Sequence, residues 1–124
     1  MKTPSPAKAE PANLKFPDDF ETFEDFYPFY LHEHRNQICK FLHFFGTSLL
    51  IATFIGIVLT GRWYQIWLIP VFGYGFAWLG HFGFEKNKPA SFKWPLFSLR
   101  ADFVMFYDLL TGNLSFETNA ELKR

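Results

Sequence analysis

The sequence is poor in cysteine and in charge, and it carries no excess of either sign. A single cysteine, Cys39, leaves no partner for an intramolecular disulfide and too few thiols for a Cys-rich zinc module. Basic and acidic side chains number 12 each, so they cancel. That balance argues against a nucleic-acid binder, whose footprint is a basic patch. Charged residues make up 19% of the chain, below the roughly 25% usual in soluble domains. A Gly-x-Ser-x-Gly elbow for a nucleophilic serine is missing, as is a glycine-rich phosphate loop following a strand. Aromatic residues, by contrast, are abundant at 22%, with 18 Phe among them. At 124 residues the chain makes one domain at most.

The charges are also unevenly placed. Between Phe41 and Phe84 the sole charged side chain is Arg62, which divides two apolar windows, about 41–61 and 63–84. A membrane span needs about 20 such residues, because ~30 Å of hydrocarbon is crossed at about 1.5 Å per residue. The pair reads as a transmembrane hairpin turning at Thr60-Gly61-Arg62. Trp63, Tyr64 and Trp67 follow the turn, where amphipathic rings favour the headgroup region. A soluble pair of core helices would need cover on every face, and the flanks are short. Eleven of the 12 Lys and Arg flank the pair of windows and one, Arg62, lies in the connecting turn, which places both termini in the cytoplasm. The expectation is an integral protein of the inner (cytoplasmic) membrane, with no secretory signal at its N-terminus.

The flanks divide into tails and amphipathic helices. Residues 1–17 are proline-rich and expected to be disordered. Asp18 with Glu21 forms a capping-box pattern for a helix through His34, with Phe20, Phe23, Tyr27, Tyr30 and Leu31 on one stripe. Pro28 is expected to kink or divide that helix. A last helix, about Phe97 to Thr111, repeats apolar residues at Leu96, Leu99, Phe103, Phe106 and Leu110 and stops at Gly112. Both read as interfacial helices flanking the hairpin. The fold class is therefore an all-α membrane protein, with one embedded domain over 18–114 and a polar tail over 115–124.

Three of the four histidines converge in this arrangement. His43 precedes Arg62 by as many residues as His81 follows it, so the arms place both at one depth. His43 shares its helix face with Gly46 and Thr47, small residues that let two backbones approach. His34 falls in the apolar stripe of the first helix and His32 nearly opposite. A break at Arg35-Asn36 folds His34 back over the mouth of the hairpin. Converging neutral imidazoles suggest a first-row transition metal. Glu85, one turn beyond His81, is either an orienter of that site, a fourth ligand, or an ion-pair partner of Lys86 or Lys88.

These residues stand in strings that resemble one membrane family. The strings are Phe26-Tyr27-Pro28-Phe29-Tyr30, His34-x-Asn36, His43-x-x-Gly46 and Gly80-His81-x-x-Phe84-Glu85-Lys86-x-x-Pro89-Ala90. A further stretch, Lys93-Trp94-Pro95-Leu96-Phe97-Ser98-Leu99-x-x-Asp102-Phe103, is similar to the shorter bacterial members. The family is that of the 2-hydroxy-fatty-acid dioxygenases of fatty-acid α-oxidation, and the resemblance spans about residues 20–114. Where the family has Pro-x-Asn, Gln37-Ile38-Cys39 stands here, which leaves the bend to Asn36 alone.

The resemblance implies an Fe(II) enzyme that uses O₂ to shorten a 2-hydroxy fatty acid by one carbon. It implies His34, His43 and His81 as the iron ligands and catalytic centre. Lys86, Lys88 or Arg100 would then compensate the substrate carboxylate, while the acyl chain stays in the bilayer. Two other readings stand beside it: a haem or electron-transfer protein with His43 and His81 as axial ligands, and a non-catalytic membrane adaptor.

Overall fold

The computed structural model describes residues 16–124, so most of the proline-rich stretch expected to be a tail lies outside the described residues. Among the described residues there are four α-helices and no strand. They are α1 (Phe23–His32), α2 (Gln37–Thr60), α3 (Leu68–Gly80) and α4 (Pro95–Thr111). Short 3₁₀ turns occupy Trp63–Gln65 and Ala90–Phe92, and a π turn occupies His81–Glu85.

Helix α1 starts later than the capping-box pattern predicts. Asp18, the expected cap, is not used: its backbone carbonyl accepts the Lys93 ammonium, and the neighbouring Asp19 carboxylate accepts the Phe20 N–H at 2.9 Å and the Trp94 indole N–H at 3.0 Å. The cap is Thr22, whose hydroxyl accepts the Asp25 N–H at 3.1 Å. Pro28 does not divide the helix. The carbonyl it leaves unbonded belongs to exposed Glu24, where solvent can serve it. Phe23, Phe26, Tyr27 and Tyr30 are buried in one cluster with Ala101, Met105 and Leu109 of α4.

Helix α4 presents the opposite face from the one its periodicity suggests. Ser98, Ala101, Met105, Asp108 and Leu109 are buried, whereas Leu96 is 79% and Leu110 62% exposed. Leu99 and Phe103 are exposed as well. Periodicity marks a stripe, but Asp102 and Asp108 of α4 have partners inside the bundle and turn inward to meet them.

The break at Arg35-Asn36 is present. The Asn36 side chain caps α2, accepting the N–H groups of Ile38 at 2.8 Å and Cys39 at 3.2 Å. The helix ends at Gly61, whose φ of 74° is open to a residue without Cβ. Helices α2 and α3 pack closely in opposite directions: Cys39 meets Gly80, Gly46 meets Phe72 and Phe76, and Leu50 meets Gly73. A Cβ on Gly46 would stand 2.7 Å from the Phe72 carbonyl oxygen. Any side chain there would force the helices apart, and with them His43 from His81.

The second apolar window is not one continuous helix. Proline is accommodated most easily in a first helical turn, and α3 begins just ahead of Pro70. Its 13 residues span about 20 Å, short of a ~30 Å hydrocarbon core. Among the described residues, α2 alone is long and apolar enough to cross a membrane, and only 22% of its most apolar stretch is buried. Residues 115–124 lie back on the bundle. The Lys40 ammonium donates to the carbonyls of Ser115 at 2.9 Å and Glu117 at 2.6 Å, and Arg124 grips buried Asp108 at 2.8 and 3.1 Å.

Candidate metal centre

Each histidine of the triad comes from a different element. His34 follows α1 by a residue, His43 lies in the second turn of α2, and His81 opens the π turn after α3. All three are buried, with exposures of 1%, 6% and 1%. The Nε2 atoms of His34 and His43 are 3.0 Å apart, those of His34 and His81 2.8 Å, and those of His43 and His81 3.4 Å. The ring planes meet at 85°, 79° and 88°. Three blades thus stand mutually upright around one point. His32 is outside the group, its ring against Phe16.

The outer nitrogens determine what the inner ones present. His34 Nδ1 lies 2.6 Å from the Tyr30 carbonyl oxygen, which only accepts, so Nδ1 carries the proton. His81 Nδ1 lies 2.8 Å from Asn87 Oδ1. The Asn87 amide N–H₂ is committed to Glu33, to its carbonyl at 3.2 Å and its carboxylate at 2.9 Å. Asn87 therefore meets His81 with its oxygen, and again Nδ1 is the donor. His43 Nδ1 faces the Asp102 carboxylate at 3.7 Å, and Asp102 accepts the Tyr30 hydroxyl at 2.5 Å. His34 and His81 are thus each left with an Nε2 lone pair facing the other, and His43 Nε2 completes the group.

The facing lone pairs of His34 and His81 repel each other without a cation between them, and the dimensions of the group suit a metal. Ligand nitrogens about 2.0–2.1 Å from an ion, at tetrahedral or octahedral angles, stand roughly 2.8–3.4 Å apart. Outer-nitrogen partners that fix the tautomer are also usual at metal sites. Burial holds the His34 imidazole well below the ordinary histidine range, reinforced by His43 and His81, so it stays a neutral ligand. Burial also pushes the Asp102 carboxyl up to about 7.

The local backbone explains why His81 reaches the group. A π turn adds a residue to the helical repeat and recurs at functional sites. Here it wraps the His81 carbonyl, which accepts the Asn87 N–H at 3.1 Å, and closes on Lys86 at a φ of 63°. Glu85 does not join the triad. Its carboxylate accepts the Asn36 backbone N–H, tying the end of the π turn to the start of α2.

Lys86, Lys88 and Arg100 are not brought to the site either. Both lysines are exposed, and the Arg100 guanidinium lies 4.2 Å from the centre of the Phe23 ring. Asp102, Asn87 and Tyr30, which residue order alone does not single out, stand behind the imidazoles and support them. An apolar helix face interrupted by an aspartate was the available signal for Asp102.

A narrow cleft adjoins the triad, lined by Tyr74, Trp78, Ser98 and Asp102 among others. No curated protein and no solved structure matches this chain. One family model does, over residues 20–114, a stretch that encloses the triad and all of its supporting side chains, and it is described as 2-hydroxy-palmitic acid dioxygenase Mpo1-like. The chain therefore belongs to the Mpo1-like family.

Proposed function

We propose that the chain is an Fe(II)-dependent dioxygenase that shortens a 2-hydroxy fatty acid by one carbon, working at a membrane surface. The observation that carries this reading is the convergence of three buried Nε2 atoms within 3.4 Å, with His34 and His81 fixed from behind by hydrogen-bond partners on Nδ1. Buried imidazoles suit iron, and a 2-hydroxy acid offers carboxylate and hydroxyl oxygens to a metal with open positions. Iron, when bound, supplies the coordination of that acid and the activation of O₂.

The chain's own residues do the rest. His34, His43 and His81 serve as ligands on one side and leave the cleft side open. Tyr30 and Asn87 keep the Nδ1 protons of His34 and His81 in place, so neither ring can turn its donor inward. Asp102 performs this for His43 through charge, and Tyr30 fixes Asp102. Glu85 holds the bend at Asn36, which sets the position of His34 relative to His43. Burial of all three rings keeps bulk water from the reacting atoms.

The outward-facing apolar surface supports a membrane setting. A soluble core helix of the length of α2 would be mostly buried, whereas most of its apolar stretch faces out. The exposed leucines of α4 extend the same surface. The charge distribution favours cytoplasmic termini, so a fatty acid would reach the site from the cytoplasmic leaflet.

The haem alternative suits the geometry poorly. His34 Nε2 stands within 3.0 Å of both His43 and His81, where a porphyrin plane would have to pass. Anaerobic purification with metal analysis, then 2-hydroxypalmitate and O₂ with product mass spectrometry, tests the proposal. One iron per chain and a product one carbon shorter are expected. Full iron occupancy in both His43→Ala and His81→Ala would refute the ligand assignment; a Soret band would revive the haem reading; absence of stoichiometric metal would favour the adaptor.

A further inference from the structure

The Ser98 hydroxyl is an anomaly. Ser98 lies in the first turn of α4, is 2% exposed, and its Oγ has no hydrogen-bond partner. A buried hydroxyl without a partner is costly, and native structures place few of them. This one lines the cleft beside the histidine triad. It is also one turn from Asp102 on the same helix face. A hydroxyl so placed is ready to donate to an oxygen-bearing group that enters the cleft.

A second cavity adjoins the first. It lies between α2, α3 and α4, has a volume of about 180 Å³, and is walled by Leu50, Ile69, Gly73, Leu99 and Phe103. Tyr74 and Asp102 line both cavities, so they stand at the junction. The groove is apolar apart from Thr47 and Asp102, and Leu99 and Phe103 on its rim are exposed. A polar cleft, a junction and an apolar groove opening sideways match one kind of ligand: a polar head on a hydrocarbon chain.

We infer that the site binds a single-chain carboxylic lipid whose oxygen-bearing head is held by the Ser98 hydroxyl, and whose chain lies in the groove between α2, α3 and α4. The inference rests on the functional reading above for the identity of the head, and on the two cavities for the path of the chain. The chain passes the Tyr74 and Asp102 junction and leaves between Leu99 and Phe103, toward the outward apolar face. A lipid can then reach the triad laterally.

The test uses the iron-loaded full chain in lipid nanodiscs, without O₂, so that binding is read apart from turnover. The probe is 2-hydroxypalmitate, with a second form bearing a mid-chain diazirine for photolabelling. Ser98→Ala is expected to weaken binding about tenfold, the worth of one hydrogen bond to a charged group. Its melting temperature should be unchanged or higher, since the hydroxyl loses no partner. Labels should fall on residues 50, 69–74 and 99–103. Binding by Ser98→Ala equal to the unsubstituted chain overturns the head contact, and labels confined to the 54–67 turn overturn the chain path. Labels in the groove with no shortened product on adding O₂ uphold the lipid site and sink the dioxygenase reading; product with labels elsewhere does the reverse.

Discussion

The two ends of the α2–α3 pair obey opposite rules. At the triad end the buried side chains are largely polar: His34, Lys40, His43, Thr47 and His81, with Ser98 and Asp108 nearby. At the turn end the exposed side chains are large and apolar, including Phe54, Ile55, Val58, Leu59, Trp63, Tyr64 and Trp67. Ile57, 1% exposed, is the buried exception there. Water would penalise the turn end, and a dry core would penalise the triad end unless its groups were paired. The polar end is tolerable because nearly every group has a partner. The apolar end is tolerable in hydrocarbon, where a leucine outside the bundle has surroundings like those inside. Under the proposed function, one end serves chemistry and the other anchoring.

Substitutions at either end would break or sharpen that contrast. Asn87→Ala should lower metal affinity about 10–100-fold by freeing His81 Nδ1, as measured by competition with a chelator. Wild-type retention would show that the triad needs no support from behind.

At the turn end, Ile57→Ala should destabilise by about 2–4 kcal/mol, and Leu59→Ala by less than about 0.5 kcal/mol. Denaturation of the two variants in nanodiscs gives the comparison. Equal losses would mean that Leu59 is packed against something, and that the outward face is not simply anchoring.

Arg124→Ala should cost about 1 kcal/mol at neutral pH, because Arg124 is half exposed while Asp108 is fully buried. The loss should vary with pH. Burial by itself raises the Asp108 carboxyl, but hydrogen bonds from Arg124, Tyr27 and Asn113 outweigh it and hold the carboxyl below its usual range. A carboxylate lowered in the native state contributes its full stability above the unfolded value of about 3.9 and loses it as pH falls through the native value. The difference between wild type and Arg124→Ala should therefore shrink in acid. A difference that grows in acid would contradict the assignment.

The smallest effect is expected at Lys86. Its φ of 63° is strained for a residue with Cβ, so Lys86→Gly should gain about 0.5 kcal/mol, seen as a higher melting temperature. A fall instead would mean that the lysine side chain holds the π turn in place.

Much of this was legible in the residue order, for reasons that are local. The helix break at Asn36 follows from a side chain that caps better than it continues a helix. Gly61 and Gly112 end helices because they accept a left-handed backbone. The antiparallel return that brings His81 back toward His43 was legible in the two apolar windows, and the inward phase of His34 in helical spacing; the register, in which Cys39 rather than His43 lies opposite Gly80, was not. The capping of α1 by Thr22 was not legible, because the segment of the expected cap, Asp18, is held with Asp19 against Lys93 and Trp94, distant in sequence.

What the sequence by itself determined is the helical class, the apolar stretch between Phe41 and Phe84, the break that returns His34, and the three histidines that meet. Each depends on covalent order and short-range backbone preference. Tertiary structure alone decided which face of α4 turns inward, how far α3 extends as a helix, and which oxygen stands behind each imidazole. Those choices depend on partners that folding brings from afar: a carboxylate or an amide gains its worth from the group it finally faces, and periodicity marks a stripe without saying what surrounds it.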